Sequence, residues 1–201
     1  MLKFQPPGFG QQFTQTSLGP MVYYTQVSAP WSASTAEGEE LPSLIFLHNF
    51  GGGASAYEWS KVYPAFATNY RVLAPDLIGW GQSAHPARDY KIADYLTTLA
   101  EFIQQACRAP VAVVASSLTA AFTIRLAIQQ PDLFQALFLV CPSGFADFGQ
   151  DAGRRLPLQV ISTPLLDRLI YALGAENEVA VRNFIFSSFC LSSQSDCLKR
   201  R

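Results

Sequence analysis

Four short apolar runs, at residues 44–47, 70–74, 111–114 and 137–140, recur along this 201-residue chain with longer stretches between them. Continuous apolar runs of strand length mark strands buried on both faces, and strands that alternate with helices pair in parallel beneath those helices. Residues 92–107 place Ile92, Leu96, Leu99, Ile103 and Cys107 on one helical face, and residues 118–130 read as a second helix. Residues 57–68, with Trp59, Val62, Tyr63 and Phe66 at helical spacing, predict another. The expected class is therefore α/β, a mostly parallel sheet with helices on both faces and right-handed crossovers. Ahead of it, residues 13–18 and 21–27 flank Gly19-Pro20 and read as an antiparallel pair at the sheet edge. Residues 28–41 are small, polar and without period, as an exposed connection is.

With 49% hydrophobic and 14% charged residues, the chain can bury a sizeable core and is too poor in charge to stay disordered. A net charge of -1 gives no electrostatic reason to bind nucleic acid or an anionic membrane surface, which leaves a small apolar molecule as the expected partner. The four cysteines, Cys107, Cys141, Cys190 and Cys197, show no C-x-x-C spacing and predict reduced thiols in a cytoplasmic protein. Residues 1–20 lack the charged start and apolar run of a secretory signal, and no apolar run is long enough to span a membrane. Scattered cysteines and two histidines supply no metal cluster. Gly51-Gly52-Gly53 lacks both the G-x-G-x-x-G spacing and the lysine of a phosphate loop, so no cofactor is expected. The oligomeric state is left open.

The segment Ala115-Ser116-Ser117-Leu118-Thr119 sits between the strand at 111–114 and the helix at 118–130. A serine presented on a tight strand-to-helix turn needs small residues two positions to either side, which is the origin of the G-x-S-x-G pattern. Here those positions hold Ala115 and Thr119, a relaxed form of it. Two further stretches fall at strand ends: His48-Asn49-Phe50-Gly51-Gly52-Gly53 after the run at 44–47, and Pro75-Asp76-Leu77-Ile78-Gly79-Trp80-Gly81-Gln82-Ser83 after the run at 70–74.

Together these motifs resemble the α/β-hydrolase superfamily over roughly residues 13–148. The glycine-rich loop is similar to the H-G-G-G loop of esterases and lipases, and Asp76 to Ser83 to the family's D-x-x-G-x-G-x-S segment. The resemblance implies that Ser117 is the nucleophile and that the backbone N–H groups of Phe50 and Leu118 hold the developing oxyanion. The N-terminus of the helix at Leu118 would add its positive end. His48 and Gly51 would support the loop, and Asp76 would order its own turn rather than react. Asn49 and Thr119 depart from the family's small residues. An aspartate at position 117 would have suggested dehalogenation; the serine argues against it.

A serine needs a positioned base, and the family order is Ser, acid, His. Both histidines, His48 and His85, precede Ser117, so neither occupies that place; His85 in its polar loop is expected to be exposed. Asp147 is a candidate acid, with simple exposure in a loop entering a cap as the alternative. After residue 149 the strand–helix alternation stops. Residues 156–173 and 178–189 look helical, so the expected organisation is a hydrolase core over 1–148 and a partial helical cap with an unassigned tail over 149–201. The resemblance implies two more strands that carry acid and base; their absence here suggests a truncated product with slow or no turnover. The expected function is hydrolysis of an ester or similar small apolar substrate through an acyl-enzyme, and the alternative is a non-catalytic binding protein on the same fold.

Overall fold

The computed structural model describes residues 5–31, 38, 40–51, 53–142 and 179 of the chain. The chain divides into two compact units, Met1–Asp147 and Phe148–Arg201, and every element below belongs to the first. Asp147 and the expected cap helices, apart from Val179, lie outside the described residues.

Six strands form one sheet: β1 (Phe9–Thr16), β2 (Gly19–Gln26), β3 (Ser43–Leu47), β4 (Arg71–Pro75), β5 (Val111–Ser116) and β6 (Phe134–Val140). Their spatial order is β1-β2-β4-β3-β5-β6. The first two pairings, β1 with β2 and β2 with β4, are antiparallel, and β4, β3, β5 and β6 run parallel. Helices α1 (Ile92–Ala106) and α2 (Ser117–Gln129) supply the crossovers on either side of β5.

Period-two alternation explains why the central runs carry no polar face. Ile45 and Leu47 of β3, Leu73 of β4 and Val111, Val113 and Ala115 of β5 join Leu96, Leu99, Phe102 and Ile103 of α1 and Ala120, Phe122 and Leu126 of α2 in one core. The intervening residues Leu44, Phe46, Val72, Ala74 and Val114 face the other way, against Ala56, Tyr63, Ala67 and Phe9. No helix among the described residues is long and apolar enough to cross a membrane.

Two expectations change. Residues 57–68 do not form one α-helix but two short 3-10 helices, Ala56–Trp59 and Tyr63–Phe66. Pro64 lies in the first turn of the second; it has no N–H to donate to a preceding turn, and its ring blocks a continuous helix there. In the opening hairpin the strands begin and end earlier than the apolar runs suggest: Thr16 pairs with Gly19, so Ser17 and Leu18 make the turn and Gly19-Pro20 starts β2. Gly19 has a φ of +112°, and the outer strand β1 tolerates Gln11 and Gln12 on opposite faces because both faces meet solvent at mid-strand.

Candidate active site

Strand β3 has β4 on one side and β5 on the other, so the chain order reverses there. The C-terminal strand ends at such a reversal are the general location of ligand sites in open α/β sheets. The loop after β3 begins at His48, and the residue after β5 is Ser117.

Ser117 takes φ +52°, a left-handed conformation that costs a non-glycine residue about 1–3 kcal/mol. Ser116 before it is extended (φ -121°, ψ 153°), and α2 starts at Ser117 itself. The backbone therefore turns sharply from strand to helix at one serine. Leu118 follows as the second residue of α2, where an N–H has no carbonyl partner within the helix.

Thr119, which replaces the usual small residue, is buried and ties the turn to the neighbouring loop. Its Oγ1 donates to the His48 carbonyl at 2.6 Å. His48 is fully buried, and both of its ring nitrogens are engaged. Nε2 accepts the Leu77 N–H at 3.0 Å, and Nδ1 lies 2.7 Å from the Asn49 carbonyl, so Nδ1 carries the proton of a neutral imidazole. Burial holds its pKa below the ordinary 6.5, against the opposing pull of the Asn49 carbonyl and of the Asp76 and Glu58 carboxylates. With both nitrogens committed, His48 has no lone pair for Ser117 Oγ. His85 is exposed.

Asp76 is buried at the end of β4. Its carboxylate accepts the Ala56 N–H at 2.7 Å and the Gln82 N–H at 2.8 Å, and its carbonyl accepts Ser83 Oγ–H. Gly81 belongs to the same turn: at φ +53°, a Cβ there would lie 2.2 Å from the Asp76 carboxylate. Gly51 donates its N–H to Asn49 Oδ1 at 2.6 Å, closing a tight turn in the β3 loop, and its carbonyl accepts the Ala54 N–H.

The Phe50 ring meets Trp80, Tyr95 and Phe122 edge-on, with centroids 5.3, 4.8 and 5.3 Å away. Tyr95 in turn stacks on Phe122 and Tyr90. The structure thus brings together Ser117, Leu118, His48, Phe50, Gly51 and Asp76 through the strand ends and their bonds; Asp147 lies outside the described residues.

Glu58 was not singled out by the sequence. Its carboxylate accepts the Asn49 N–H at 2.8 Å and Ser116 Oγ–H at 2.9 Å. In the sequence it is one acid among helix-spaced aromatic residues, and no motif points to it; only the short 3-10 turn brings it to Asn49 and Ser116.

The model of the alpha/beta hydrolase family matches residues 44–189, well over half of the chain. The chain belongs to the α/β-hydrolase family. A haloalkane dehalogenase of Mesorhizobium japonicum is 31% identical over 131 residues, which is 63% of this α/β-hydrolase chain and 42% of that protein. Among solved structures, haloalkane dehalogenase DbeA from Bradyrhizobium elkani superposes with a TM-score of 0.60 at 24% identity, covering 91% of this chain and 57% of that one. The carboxylesterase CesB from Bacillus subtilis superposes with a TM-score of 0.57 at 18% identity, covering 70% and 45%. These likenesses establish the fold, and the hydrolase chain spans about half the length of such relatives.

Proposed function

We infer that this α/β-hydrolase carries the nucleophile half of a serine hydrolase site. The observation that carries the reading is the left-handed φ of Ser117 where β5 turns directly into α2, the strained strand-to-helix turn that presents a nucleophile. Ser117 Oγ attacks an ester carbonyl, and the N–H groups of Phe50 and Leu118 receive the oxyanion. His48, Gly51 and Asp76 shape the loops that aim those groups. Phe50, Trp80, Tyr90 and Tyr95, all partly exposed, offer an aromatic wall suited to an apolar substrate. A dehalogenase reaction through direct displacement would need a carboxylate where this chain has Ser117.

No histidine follows Ser117, and Asp147 as acid rests on position alone. The 201-residue chain therefore forms an acyl-enzyme slowly and deacylates poorly. In the family pattern the acid and the base follow the nucleophile, Ser then acid then His. Burial pushes the Cys107 thiol up to about 12, far from reactive.

The full commitment of His48 to Leu77 and Asn49 favours a second reading, a binding protein that keeps the site without chemistry. A fluorophosphonate probe followed by peptide mapping separates the two. Labelling at Ser117 that Ser117→Ala abolishes supports the hydrolase; a wild-type chain that stays unlabelled supports the binding protein.

A further inference from the structure

We propose that Glu58 is a positioning residue for this site, holding the oxyanion loop and the nucleophile turn in register and keeping the Leu118 amide open for the substrate. The proposal rests on the hydrolase reading above. The residues it joins are the ones immediately before the reacting groups: Asn49 precedes Phe50, and Ser116 precedes Ser117. One carboxylate thus adds a second link between the ends of β3 and β5, beside the Thr119–His48 bond.

The second effect concerns the helix end. Ser116 is the N-cap of α2, and a serine there ordinarily turns its hydroxyl to accept the N–H of the second or third helical residue. Those residues are Leu118 and Thr119, so an ordinary cap would compete with the oxyanion for Leu118. In this chain the Ser116 side chain makes no cap bond; it donates instead to Glu58 Oε1. A strongly preferred capping residue is held in a non-capping role, and the carboxylate is the group that holds it.

The arm that presents Glu58 is anchored independently of its carboxylate. Trp59 Nε1 donates to the Leu47 carbonyl at 2.9 Å, the Ala56 N–H donates to Asp76 at 2.7 Å, and the Glu58 N–H donates to the Ser55 carbonyl at 3.0 Å. Removing the carboxylate therefore leaves the turn in place and frees only Asn49 and Ser116. Glu58 itself is exposed, so the fold does not depend on its burial.

The test measures fluorophosphonate labelling of Ser117 against probe concentration in the 201-residue chain, for wild type, Glu58→Ala and Glu58→Gln, with a thermal melt of each. Glu58→Ala should lower the saturating labelling rate about tenfold, the scale of one charge-assisted hydrogen bond, with the half-saturating concentration and the melt little changed. Glu58→Gln, which can still accept from Asn49 and hold Ser116 Oγ with its amide, should restore most of the rate. Adding Ser116→Ala to Glu58→Ala should slow labelling less than the two single effects combined, because both act on one link. Wild-type labelling rates in Glu58→Ala, or a rate loss that follows a lowered melt and is not restored by glutamine, overturn the proposal while leaving Ser117 the nucleophile. A wild-type chain that does not label at Ser117 overturns the hydrolase reading and this one with it.

Discussion

Thr119 shows how a residue that breaks a motif can be stabilising. The hydroxyl that makes threonine bulky also reaches the His48 carbonyl, replacing the close backbone approach of a small residue with a 2.6 Å bond. Thr119→Val keeps the shape and leaves that buried carbonyl short of a donor, so it should cost about 1–3 kcal/mol in denaturant unfolding. His48 gives a pH signature. Its folded-state pKa lies below 6.5, so as pH falls through the unfolded value the unfolded chain takes up a proton that the folded chain refuses. The contribution is present above pH 6.5 and is lost on acidification below it. Urea unfolding at neutral and mildly acidic pH should show wild type losing more stability than His48→Gln, whose side chain does not titrate.

At the scale of elements, α2 carries both a core face and a solvent face. Leu126 is 1% exposed and Ile128 is 77% exposed. Leu126→Ala should cost roughly 2–5 kcal/mol and Ile128→Ala within about 0.5 kcal/mol, read by the same unfolding measurement. The buried strands were legible because runs such as Leu44 to Leu47 admit no polar face, and α1 because its apolar residues keep helical period. Residues 57–68 were not, because aromatic residues at helical spacing look alike in an α-helix and in two 3-10 turns, and the decisive Pro64 sits among them. The strand-to-helix junction at Ser117 was legible from the apolar run before it and the helical run after it. Glu58 was invisible because its role depends on where the chain after β3 folds back in space, which no local pattern encodes.

For the molecule as a whole, β6 is the last strand in the described sheet order, and Phe138 on it is 66% exposed. An exposed aromatic side chain favours association through the face that carries it. The 201-residue chain should therefore self-associate with rising concentration in sedimentation, and Phe138→Lys should shift it toward monomer. The measurement that bears most directly on the account is the intact mass of the chain after incubation with p-nitrophenyl acetate, followed by peptide mapping. A nucleophile without its base should accumulate one acetyl group on Ser117, absent in Ser117→Ala, with little release over the same period. Acetylation confined to lysines, or many turnovers with no adduct at Ser117, would contradict the assignment of Ser117 as a nucleophile stranded from its base.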